Sequence, residues 1–420
     1  MYVVPEIKNQ RHLHCTQRSA VQVSKIKNRI AVVGLIILLA GCAAAPTITP
    51  APTIMSAPTI EVAAPDLPTR TAEPLPTSTS TPRPLPTITP TSEAASAYYK
   101  VGVRAYGTGD YATALTNFTR ALQLDSKNAL IYMGRAATYQ ALNDLDNAIA
   151  DYSRVIQLDR RNVVAWVSRG EVYAADQQYP LALRDLDQAI TLTPNEPSVY
   201  INRGQILQAS GVITDALSDF TQALSIDPNY APAYYYRALA YLADKAPNQT
   251  VVDLRAINDL NAVIALQPQN IDAYLARADA YVAGSDLDHA LADYDQALKV
   301  DPEFIDIYLR RGQLRYIRRD FVAALDDFSA ALKIDPKSIA ALYHRGTAYA
   351  AQNQLDKAIT DFSAILQLDP GNFAAYLQRG LAHDQKHNRD AALLDLRKAL
   401  TLAPTSSDKA AVQAELDRMK

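Results

Sequence analysis

From Ala95 to Ser406 the apolar and polar positions recur with a period of about 34 residues. Nine copies follow one another, at 95–128, 129–162, 163–196, 197–230, 231–270, 271–304, 305–338, 339–372 and 373–406. The fifth is longer, with its extra length in Asp244 to Val252 (DKAPNQTVV). Within a copy the apolar residues fall at helical spacing on either side of a short polar break. An example is AWVSRGEVYAA, then DQQY, then PLALRDLDQAITL, closed by TPN. This pattern predicts two amphipathic helices per repeat. The last segment, 407–420, reads as a polar helix that caps the final apolar face.

Particular slots hold particular chemistry. The fourth is aromatic in eight repeats, as at Tyr98, Trp166 and Tyr376, and Leu342 in the other. The eighth is Gly or Ala, as at Gly102, Ala136 and Gly204, and the twentieth is Ala throughout, from Ala114 to Ala392. A large side chain beside small ones lets two helices approach closely. Pro fills the thirty-second slot in seven repeats, as at Pro194 and Pro228, and stops the second helix before the next repeat begins.

These residues and spacings resemble the tetratricopeptide repeat. The resemblance spans 95–406 and implies an all-α fold, a right-handed α-α superhelix of nine helix pairs with a concave groove. It also implies a non-enzymatic scaffold whose partner is a protein or peptide held in that groove.

Ahead of the repeats the pattern changes twice. Lys25, Lys27 and Arg29 precede a short apolar run, Ile30 to Ala40, which is too short to span a bilayer and reads as a signal. Its end, Leu39-Ala40-Gly41-Cys42, resembles a bacterial lipobox. That resemblance implies removal of a 1–41 signal peptide and lipidation of Cys42, which ties the chain to a cell membrane on its extracytoplasmic face. About 24 residues precede Lys25, a long leader for such a signal, and translation from Val21 or Val23 would shorten it. Residues 42–94 are dominated by Pro and Thr and hold half of the 24 prolines. Repeated Pro removes amide donors and fixes φ, so this segment is expected to be an extended, disordered tether, about 150 Å long if fully in polyproline II.

Composition narrows the functional class. With 41 Lys and Arg against 44 Asp and Glu, the formal charge of the 420-residue chain is -3, and no nucleic-acid partner is expected. Both cysteines, Cys15 and Cys42, precede the repeats, which therefore contain no disulfide, Cys-based zinc cage or thiol nucleophile. No phosphate loop or nucleophile elbow is present, and no cofactor or metal is implied. The 24 Tyr, against 7 Phe and one Trp, are mostly slot filling.

Four groups of residues stand out from the scaffold. Arg fills the seventh slot and Asp the twenty-third in the same eight repeats, from Arg135 and Asp151 to Arg379 and Asp395, while the first repeat has Val101 and Asn117. Because the two charges vanish together, each Arg is expected to pair with the Asp of its own repeat. The fifth slot is apolar throughout: Tyr99, Met133, Val167, Ile201, Tyr235, Leu275, Leu309, Tyr343 and Leu377. These residues, with Gln205 and Gln313 to set register, are the candidate partner-binding strip; the competing reading is packing against the adjoining repeat. None of the nine is Lys, which argues against the clamp by which some family members grip a peptide carboxylate. The segment RRGQLRYIRRD concentrates Arg310, Arg311, Arg315, Arg318 and Arg319, either as an anion site or as charges neutralised by Asp320, Asp326 and Asp327. His383 and His387 stand four apart without a third ligand, in a packing slot and a turn. Two further readings stay open: a docking subunit of a cell-envelope enzyme, and a self-associating assembly factor.

Overall fold

The structure, a computed structural model, describes residues 93–244 and 253–419. The signal, Cys42 and the Pro/Thr-rich stretch lie outside the described residues, as does most of the fifth-repeat insertion. Every regular element among the described residues is an α-helix. They are α1 Glu93–Gly107, α2 Tyr111–Leu124, α3 Ala129–Ala141, α4 Leu145–Leu158, α5 Val163–Ala175, α6 Tyr179–Leu192, α7 Pro197–Ala209 and α8 Ile213–Ile226. Then follow α9 Ala231–Ala243, α10 Leu254–Leu266, α11 Ile271–Ala283, α12 Leu287–Val300, α13 Ile305–Ile317 and α14 Phe321–Ile334. The last five are α15 Ile339–Ala351, α16 Leu355–Leu368, α17 Phe373–Gln385, α18 Arg389–Leu402 and α19 Ser406–Arg418. The described residues form two compact units, 93–307 and 308–419.

Capping and turn chemistry set where each helix starts. Five first helices begin after Asn or Ser whose side chain accepts a backbone N–H, as Asn162 does from Ala165 and Ser338 from Ala341, whereas α7 and α9 follow Glu196 and Tyr230 without such a cap and carry Pro in their first turn. Four second helices begin after Asp110, Asp144, Asp286 or Asp320, each accepting the amide three residues on, while those after Gln178, Val212 and Gln354 lack a side-chain cap. Such a cap is worth about 1 kcal/mol against Ala. In the eight described turns between paired helices one residue is left-handed, at the fifteenth slot: Gly109 and Gly211 take it without a Cβ, and Asn143, Gln177, Ser285, Arg319, Asn353 and His387 take it at φ of 57° to 62°.

Inside a pair the twentieth-slot Ala is fully buried. Beside it the twenty-fourth slot carries a large side chain, such as Phe118, Phe220, Phe328 or Phe362, seated over the eighth-slot glycine of the partner helix. A Cβ built on Gly204 would lie 2.4 Å from the Phe220 ring, so glycine there is required by close approach. The same ring reaches the following repeat. Phe118 lies against Gly134, Phe220 stacks on Tyr236 at 6.2 Å, and Phe328 stacks on His344 at 5.5 Å. One residue thus joins a pair internally and to its successor. At the C-terminal end, Val412, Leu416 and Met419 of α19 pack on Leu377, Leu396 and Ala399, while Thr405 and Asp408 close a reciprocal capping box.

Candidate partner-binding faces

The Arg–Asp series is structural. Arg135, Arg169, Arg203, Arg237, Arg277, Arg311, Arg345 and Arg379 meet the buried Asp151, Asp185, Asp219, Asp259, Asp293, Asp327, Asp361 and Asp395 of their own repeats at 2.5 to 2.9 Å. Both carboxylate oxygens are engaged, by Nε and Nη2, in the fork geometry that guanidinium suits best. The remaining Nη1 reaches back to the twenty-fifth slot of the preceding repeat, as from Arg169 to Ser153 at 2.9 Å, Arg203 to Asp187 at 2.7 Å and Arg379 to Ser363 at 2.9 Å. Sequence reasoning missed this second contact, although a run of Thr, Ser, Asp and Asn at that slot (Thr119, Ser153, Asp187, Thr221, Asn261) carried the signal.

The tyrosine surplus acquires a cause here. The guanidinium lies over the fourth-slot ring, 5.0 Å from Trp166 for Arg169 and 5.9 Å from Tyr200 for Arg203. The polar tip of that ring donates to a carbonyl six residues earlier in the inter-repeat turn, from Tyr200 to Pro194 at 3.0 Å and from Trp166 to Arg160 at 3.0 Å. Phe would stack but could not donate. The twenty-fourth slot, almost wholly enclosed, takes Phe four times.

The arginine-rich segment is drawn into the same frame. Arg315 replaces the eleventh-slot tyrosine and donates to Asp327 at 2.9 Å, so one buried carboxylate serves both Arg311 and Arg315. His383 is half-buried on α17, where burial pushes its pKa down, and His387 is exposed in the left-handed turn. Among the described residues no group of His, Cys, Asp and Glu is arranged to hold a metal ion.

The candidate strip is less open than expected. Ile201, Tyr235, Leu309 and Leu377 are at most 4 % exposed, and three of them sit in the cores of their own helix pairs. Tyr99, Met133, Val167, Leu275 and Tyr343 are half-buried, with Tyr99 leaning on Phe118 and Tyr343 on Phe362. The fifth slot is one helical turn from the eighth and shares its packing direction, which encloses Ile201, Tyr235, Leu309 and Leu377. The sixth, ninth and twelfth slots of the first helices are mostly half-buried as well, and they change identity from repeat to repeat. Gln205 is half-buried on α7, and Gln313 donates from Nε2 to Nε2 of His344 at 2.6 Å. That bond requires the imidazole nitrogen to be unprotonated, in keeping with burial pushing His344 down to about 4.

Two titratable groups on these faces lack a charge partner. His344 is one. The other is Glu171 at the ninth slot of α5, only partly exposed, whose carboxyl burial pushes up to about 7. Around it lie Tyr152, which donates to Gln140 at 3.0 Å, and Ser168, which is hydrogen-bonded to Tyr152.

Helix pairs with a Gly/Ala seam, an aromatic wedge and a shared left-handed turn define a helical repeat protein. Comparison with known proteins agrees: models of the tetratricopeptide repeat match residues 99–162, 170–211, 197–230, 275–339, 339–372 and 373–406, together more than half of the chain. The chain is a tetratricopeptide-repeat protein. Those models are of the repeat and indicate no enzyme family. Hsp70-Hsp90 organizing protein 3 of Arabidopsis thaliana is 45 % identical over 42 residues, which are 10 % of this chain and 8 % of that protein. The chain thus spans less than a tenth of that curated relative.

Among solved structures, the C-terminal part of a repeat-containing protein from Cytophaga hutchinsonii matches at 18 % identity, covering 57 % of this chain and 96 % of that one, with a TM-score of 0.48. A tetratricopeptide repeat protein from Parabacteroides merdae matches at 19 % identity over 60 % and 97 %, with a TM-score of 0.41. YrrB, titled a TPR protein with an unusual peptide-binding site, matches at 20 % identity over 45 % and 95 %, with a TM-score of 0.34.

Proposed function

We propose that the protein is a membrane-tethered, extracytoplasmic scaffold that holds a protein or peptide partner on the faces formed by its first helices. The observation that carries this reading is the division of labour among the slots. The seventh, eighth, twentieth and twenty-third are committed to holding the helices together, while the sixth and ninth change from Ser168 and Glu171 to Asn202 and Gln205, and to His344 and Thr347. A stiff frame presenting varied side chains binds with little ordering cost. Membrane attachment rests on the lipobox resemblance at Cys42 and on the Pro/Thr-rich stretch after it, which would hold the repeats away from the bilayer.

Photo-crosslinking tests partner binding in native membranes, with a photoreactive amino acid at position 205 and, as control, at exposed Leu394. A discrete adduct from 205 and none from 394 supports the reading; equal labelling from both overturns it. The anchor is tested separately by Cys42→Ser, which is expected to move the protein from the detergent phase to the aqueous phase.

A further inference from the structure

On the 93–307 unit, the first-helix face is free of cations over a long stretch. From 129 to 300 the second, fifth, sixth, ninth and twelfth slots contain no Lys or Arg, and the ninth slot of the third repeat holds Glu171. The arginines of these helices cannot compensate, because they occupy the seventh slot and each is forked onto an aspartate. Arg169, two residues before Glu171, is bound by Asp185 and Ser153 on another side of the helix.

Glu171 is the acid in this stretch with the sharpest mismatch. Its carboxylate makes no hydrogen bond or ion pair, while the neighbouring Tyr152 donates its hydroxyl to Gln140 at 3.0 Å. Tyr106 of α1 adds a hydroxyl near Tyr152. A half-buried carboxylate beside neutral hydroxyls has lost part of its water without gaining an opposite charge. Glu171 keeps partial exposure, so a side chain arriving from solvent can reach its carboxylate.

We propose that this face takes an extended peptide segment bearing lysine or arginine, and that its cation pairs with Glu171. The proposal rests on the reading of the first-helix faces as the partner site. A side-chain ammonium or guanidinium supplies the missing hydrogen bonds and the opposite charge together, in a site where water competes weakly. Aliphatic parts of the same segment lie against the half-buried Met133 and Val167.

The test uses the full chain in detergent and a synthetic library of blocked peptides randomised over Lys, Glu, Val, Thr and Gln, with binding read by fluorescence anisotropy. Retained peptides are expected to carry Lys at one position. Their affinity should fall about tenfold on Glu171→Gln and steepen in its dependence on salt for the unaltered protein. Glu171→Lys should shift selection at that position to Glu, which guards against a binding loss caused by misfolding. Peptides retained with no preference for Lys, or bound equally by Glu171→Gln, overturn the Glu171 assignment and leave the peptide-binding reading standing. No retained peptide of any composition overturns both.

Discussion

The side of each helix pair that carries the Arg–Asp fork and the side that carries Glu171 and His344 obey different rules. On the first, every charge is answered: the fork is nearly identical in eight repeats, and each aspartate is at most 6 % exposed. On the second, identities change at every repeat and two titratable groups stand without a counter-charge. Repetition marks what the fold needs, because each stacking step poses the same geometric problem. Variation and unanswered charge mark what the fold tolerates for another purpose.

The contrast can be broken most forcefully at the fork. Asp361→Ala removes the buried half of the fork and leaves the half-buried Arg345 without its partner, which should cost about 3 kcal/mol in urea unfolding. Asp187→Ala, which removes the exposed half of the Arg203 interaction, should cost less than about 1 kcal/mol. Comparable losses for the two would refute the idea that burial ranks these contacts. Next comes the seam. Gly204→Ala forces a methyl to within 2.4 Å of Phe220 and should cost about 1–3 kcal/mol, whereas Gly107→Ala meets nothing within 4 Å and should be neutral or slightly stabilising.

The variable side gives smaller effects of opposite sign with pH. Glu171 ionises near 4.5 when unfolded but near 7 when folded, so the folded state loses stability as pH rises between these values. Glu171→Gln should therefore stabilise the protein by about 1–3 kcal/mol at pH 8 and by almost nothing at pH 4. His344 behaves in reverse. It protonates near 6.5 when unfolded but near 4 when folded, so stability falls as pH drops through that window, and His344→Gln should remove about 1–2 kcal/mol of that fall. Parallel pH profiles for the two variants and the unaltered protein would show that neither group is as enclosed as its surroundings indicate.

Much of the frame could be read before any coordinates. The helical period, the small eighth and twentieth slots and the joint loss of Arg and Asp at Val101 and Asn117 are one-dimensional signals, because neighbouring slots in a repeat are always neighbours in space. The third arginine contact was harder, since it joins residues of different repeats and depends on which guanidinium nitrogen the aspartate leaves over. The fifth slot misled for a related reason. An apolar residue on a helix reads the same whether it faces a ligand or its partner helix, and only the direction of Ile201 and Leu377 into their own cores separates the two.

By itself, the sequence of this protein determined an all-helical chain of paired helices, the slots that bind each pair and the pairing of Arg with Asp, because local periodicity and covariation between copies encode them. Tertiary structure decided which polar groups find partners. Glu171 and His344 look like ordinary surface residues in the sequence, and they become distinctive only where stacking removes water from them and supplies no charge in exchange.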